Sequence, residues 1–74
     1  MGGEEVIEVL EKSEEPLCRS ELLTILGNGW SATRLTHVLT RLLNSREIKF
    51  EVIDRIEAHK RNSKIKRKVR VYYI

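Results

Sequence analysis

Eight lysines and arginines fall within the sixteen residues from Arg55 to Arg70, against one acid, Glu57, so this stretch carries +7 while the whole chain carries +3. A run of that density can neutralise a polyanion. A basic segment of this kind releases the counterions condensed on a nucleic acid, so nucleic-acid binding is the leading expectation from charge. The asymmetry sharpens when the chain is divided at Ser31: residues 1–30 hold seven acids and two bases, for −5, and residues 31–74 hold four acids and twelve bases, for +8. Charge alone leaves a second reading open, a solvated tail that serves solubility.

Other chemistry is poorly provided for. Cys18, His37 and His59 are far apart and lack the close paired spacing of metal ligands, and no serine, histidine and aspartate form a nucleophile motif. Neither a metal, a cofactor nor an enzymatic activity is expected. Cys18 is the chain's one cysteine, which excludes an internal disulfide and fits a reducing compartment. The first residues carry acids rather than the basic and apolar regions of a secretory signal, and no apolar run is long enough to span a bilayer, so a cytoplasmic, nucleoid-associated protein is expected. Glutamine is absent while charged residues reach 34%, a bias found in proteins of archaeal and other hot-living organisms. Seventy-four residues suffice for one domain with a modest core, but not for a deep catalytic cleft.

The elements that must position the charge follow from periodicity. Val6, Ile7, Val9 and Leu10 form one stripe against Glu4, Glu5, Glu8 and Glu11, predicting a helix over about 4–14 that Pro16 stops. Cys18-Arg19-Ser20-Glu21 has capping-box spacing, with Cys18 in the place of the usual hydroxyl residue, and predicts a second helix over 19–26 closed by Gly27. Asn28 and Gly29 continue the turn. Ala32, Leu35, Val38, Leu39, Leu42 and Leu43 define the apolar face of a third helix over about 32–45, with Ser31 as N-cap and Trp30 placed to pack on Leu35. Its opposite face is polar and free of acid. From Ile48 the period becomes two, and it does so again from Val69 to Tyr73, predicting strands. Asn62 and Ser63 are the turn formers between them, so residues 48–74 read as a long antiparallel hairpin.

Three helices with a tight turn between the second and third, "PLCRSELLTILG" then "SATRLTHVLTRLL", followed by a basic hairpin, resemble the winged helix-turn-helix domain of small bacterial and archaeal transcription regulators. The resemblance implies an α+β fold with three helices and a C-terminal β-hairpin wing, covering residues 1–74 as one domain. It also implies a function: sequence-specific binding of double-stranded DNA, with the third helix in the major groove and the wing on the backbone or a minor groove. On that reading Ser31, Thr33, Arg34, Thr36, His37, Thr40 and Arg41 face the bases, while the wing cations Lys60, Arg61, Lys64, Lys66, Arg67 and Lys68 are the candidate phosphate clamps. No small-molecule effector site is expected. A homodimer is favoured over a monomer, since regulators of this kind read paired half-sites, and either the acidic first helix or a sheet edge ending Tyr72, Tyr73, Ile74 would join the copies. Two competing functions remain: a protein-interaction module of a transcription complex that uses Trp30 and the C-terminal tyrosines, and a binder of structured RNA or of nucleic acid without sequence preference.

Overall fold

In the computed structural model, which describes residues 2–27 and 29–74, the elements run α1 (Gly3–Lys12), β1 (Leu17–Cys18), α2 (Arg19–Leu26), α3 (Ala32–Asn44), β2 (Lys49–Ile53), α4 (Arg55–Arg61) and β3 (Val69–Tyr73). Asn28, expected in the turn before α3, lies outside the described residues. The domain is α+β, with four helices and a three-stranded antiparallel sheet of order β1-β3-β2 among the described residues. None of these helices is long and apolar enough to cross a membrane.

The first three helices follow their sequence signals closely. α1 stops at Lys12, two residues short of expectation, because the Ser13 hydroxyl donates to the Glu15 carbonyl (2.6 Å) and turns the chain out of the helix before Pro16 is reached. In α2 the Glu21 carboxylate reaches back to accept from the Cys18 backbone N–H (2.9 Å), the stronger half of the capping box, since a thiol is a weak acceptor. Gly27 follows as the C-cap, with φ +72° and ψ −141°, a backbone open to glycine but not the left-handed helical cap that its position led one to expect. Ser31 Oγ accepts from the Arg34 N–H (3.0 Å) and caps α3. At the other end, the N–H groups of Arg46 and Glu47 return to the carbonyls of Leu43 and Leu42, with Arg46 at φ +63° where glycine is the usual occupant. This reversal sends the chain from α3 into β2.

The segment after β2 corrects the hairpin expectation. β2 and β3 do pair antiparallel, Lys49 opposite Tyr73 through Ile53 opposite Val69, but the residues between them first form α4. Asp54 Oδ1 accepts from the Glu57 N–H (2.8 Å), Glu57 occupies the first turn and His59, Lys60 and Arg61 the last, so caps and charges all match the helix dipole. Lys60 and Arg61 therefore sit on a helix rather than on a wing. Asn62 does form the expected turn, bonding Lys64 N–H through its side chain and Ile65 N–H through its carbonyl, but that turn closes α4. β1 was not anticipated either. It makes β3 the central strand, with Val71 and Tyr72 paired on both sides and Tyr73 paired with Lys49 alone, and β1 and β2 are the outer strands.

Strand alternation divides the interior in two. Leu17 and Tyr72, opposite one another, face the three-helix core with Val6, Leu10, Leu22, Leu35, Leu39, Leu42 and Ile48. The next pair, Cys18 and Val71, points to the other face and joins Ile53 and Ala58, with Ile65 and Val69 packed alongside. α4 is thus a cover for the second face of the sheet, and Ala58, fully buried, is small enough to let the helix sit close. Cys18 is a core residue of this smaller cluster as well as the first residue before α2. Replacing Asp54 by Ala is expected to cost about 1 kcal/mol in urea unfolding through loss of the α4 cap; an unchanged midpoint would mean that α4 contributes nothing to the folded state.

Candidate nucleic-acid interface

α3 carries three longitudinal zones outside its buried face. The outermost holds Thr33, His37 and Thr40, all exposed or half-buried on the polar side, with Asn44 continuing it. This zone is polar but without formal charge when histidine is neutral.

The flank toward α1 holds Arg34 and Arg41. Arg34 Nη1 donates to the Gly29 carbonyl (2.8 Å), and its guanidinium lies 4.4 Å from the centroid of the Trp30 ring. Trp30 is in turn fixed by its indole N–H, which donates to Glu5 Oε2 of α1 (2.9 Å). The tryptophan is half-buried against the core cluster that contains Leu35, in keeping with its expected packing role. Arg41 reaches the beginning of α1, where a Cβ on Gly3 would come within 3.1 Å of its Nη2. Both arginines are exposed, and Arg34 is held by Gly29 and Trp30.

The flank toward α2 holds Thr36. Its hydroxyl donates to the Ala32 carbonyl (2.8 Å) and accepts from Arg19 Nη1 (3.0 Å), which ties the start of α2 to the middle of α3. Thr40 likewise donates back to the Thr36 carbonyl (2.9 Å). With their protons committed to the helix, these hydroxyls can meet a ligand as acceptors, and their methyl groups as apolar contacts.

Between this flank and the strand of chain leading into β3 runs an open groove of about 820 Å³. Leu23, Leu39, Leu43 and Tyr72 form its apolar floor; Arg19, Thr36 and Thr40 stand on one wall and Lys64, Lys66, Arg67, Lys68 and Arg70 on the other. Among the described residues, no acid lines it. The structure thus brings four of the six sequence-predicted clamps, Lys64, Lys66, Arg67 and Lys68, together with Thr36 and Thr40 of α3. Ser31, Thr33 and His37 lie outside that lining.

Lys60 and Arg61 part company with the other clamps. Lys60 is exposed on α4 and borders a separate shallow depression with Arg55, Ile56, His59 and Lys66. Arg61 points inward: Nη2 donates to the Pro16 carbonyl (2.6 Å) and to Glu21 Oε1 (3.1 Å), the same carboxylate oxygen that accepts from Cys18. Only 23% of the Arg61 side chain is exposed. It anchors α4 to the start of α2 and is not presented to a ligand.

Two groove cations escaped the sequence reading. Arg70 was counted in the basic run, but strand alternation gave no reason to place it beside α3; it also stacks 4.7 Å from the Phe50 ring centroid. Arg19 had no signal at all, because its place in the groove follows from the packing of α2 against α3. Among the described residues, no three histidine, cysteine or acidic side chains gather where they could hold a metal ion.

Arg61→Ala is expected to lower the unfolding free energy by about 1–3 kcal/mol, since a charge-assisted bond is lost and the Pro16 carbonyl and Glu21 carboxylate are left less well satisfied. A free phosphate clamp would instead be replaceable without measurable change in thermal or urea unfolding. Comparison with known proteins adds no relative: no protein-family model, curated sequence or solved structure matches this chain.

Proposed function

We propose that the chain is a winged helix-turn-helix domain that binds double-stranded DNA in a sequence-dependent way and regulates transcription by occupying a promoter or operator. The observation that carries this reading is the cross-section of α3: an outer polar stripe with cations on both sides. Arg34 and Arg41 take one flank; Arg19, Lys64, Lys66, Arg67, Lys68 and Arg70 take the other. A helix with its side chains is roughly 10–12 Å across and the major groove roughly 12 Å wide, so a helix lying in it has a phosphate backbone on each side and base edges in front. The three zones of α3 match those three surfaces in charge and order.

On this assignment Thr33, His37 and Thr40 are the base readers, with Ser31 at the entering end and Thr36 on the edge of the stripe. Threonine methyls suit thymine, and the back-bonded hydroxyls suit the amino groups of adenine or cytosine. The flanking cations set position and affinity and carry little sequence information. Arg34 and Arg41 accordingly move from base reading to phosphate contact. Lys60 extends the basic surface along α4, and Arg61 is structural. In place of a β-hairpin wing, the α4 unit and the chain up to β3 supply the second phosphate-binding arm. A protein of this kind works where the genome is, which accords with nucleoid association.

Fluorescence anisotropy with a randomised duplex library tests the reading. With six or more phosphate contacts, affinity should fall by ~10³ or more between about 50 and 200 mM salt. Lys66→Ala should weaken all duplexes alike and reduce the salt slope by about 1, whereas His37→Ala and Thr33→Ala should change preference at particular base positions by about 1–3 kcal/mol. Loss of duplex binding in favour of structured RNA, or no binding to either, would overturn it.

A further inference from the structure

The sheet order leaves β2 with one unpaired edge, since it packs on β3 and on no other element to a comparable extent. Lys49, Phe50, Glu51 and Val52 are all exposed, and Phe50 and Val52 are among the most exposed large apolar side chains of the domain, at 43% and 55%. An open edge offers free N–H and C=O groups to another strand, and charged residues on it commonly deter such pairing. Here the charges select a partner instead.

If a second copy pairs antiparallel about a two-fold axis, one residue must lie opposite itself, and that residue defines the register. Centring on Lys49 sets two ammonium groups together. Centring on Glu51 does the same with two carboxylates. Centring on Val52 brings Lys49 opposite Arg55. Of the registers centred on these four exposed residues, only that on Phe50 opposes unlike charges within the strand: Lys49 of each copy meets Glu51 of the other, twice by symmetry, and the two Phe50 rings face one another. Directly opposed side chains in an antiparallel pair are close enough for each of these contacts to count.

We propose that β2 pairs with β2 of a second copy in this Phe50-centred register, joining two three-stranded sheets into a continuous six-stranded one. The dimer forms without nucleic acid and does not depend on the DNA-binding reading. Neither charged residue belongs to the buried cores, so exchanging them leaves the fold intact, which far-UV circular dichroism checks.

Sedimentation velocity on the DNA-free protein, up to millimolar concentration, decides the matter. The wild type is expected to dimerise. Lys49→Glu and Glu51→Lys, taken singly, each turn two attractive pairs into two repulsive ones and should raise the dissociation constant about tenfold or more. An equimolar mixture of the two variants should recover the dimer as a heterodimer, because one chain then carries acids at both positions and the other carries lysines at both. A wild type that stays monomeric, a dimer indifferent to both substitutions, or a mixture that does not recover association would each overturn the proposal.

Discussion

Two neighbouring residues that face opposite ways hold the domain together. Val71 and Tyr72, consecutive on the central strand, close the α4 cluster and the three-helix core respectively. A chain of this length can bury little apolar surface per element, so a sheet covered on both faces is an efficient use of it. The same arrangement makes the first part of the chain depend on the last: Leu17 and Cys18 find their strand partners at Tyr72 and Val71. Both interiors wait for that long-range pairing, and with them the placement of α2, which begins where β1 ends.

That dependence also explains how much was legible in the sequence. α3 was fully readable because a thirteen-residue helix repeats its apolar face often enough to define it. α2 was readable from its termini. α4 offered neither advantage: in seven residues its one buried side chain is Ala58, and Ile56, the other apolar residue, points outward at 66% exposure. The charge run around it masked the signal that was present, Asp54 three residues before Glu57, which is the spacing of an N-cap and its helix. β1 has two residues and no local signature, so only its partner strand reveals it. The candidate site divided in the same way. Positions on α3 could be assigned to faces from the period alone, whereas whether an individual cation is free or engaged, as Arg61 with Glu21, is set by contacts forty residues away in sequence.

The cations of residues 55–70 therefore do different work. Arg61 neutralises Glu21 and locks α4; Arg70 lies over Phe50; Lys64, Lys66, Arg67 and Lys68 stand beside a groove that no acid among the described residues lines. Like charges crowded into one wall repel one another, and an anion that enters the groove relieves that repulsion. The field in the groove thus attracts anions, and two of the four acids of α1 are engaged elsewhere: Glu5 with Trp30, Glu8 with Lys12.

Arg70 connects the groove to the free edge of β2. Arg70 lines the groove, and its guanidinium rests on the ring of Phe50, the residue about which two copies would pair. Ring contact across that axis would restrict Phe50 and, through it, the arginine stacked on it. Lys49, Glu51 and Val52 lie outside the groove lining, so pairing along β2 leaves the groove wall accessible. Sheet extension and anion binding are then compatible on one molecule, with Arg70 the side chain that both surfaces share.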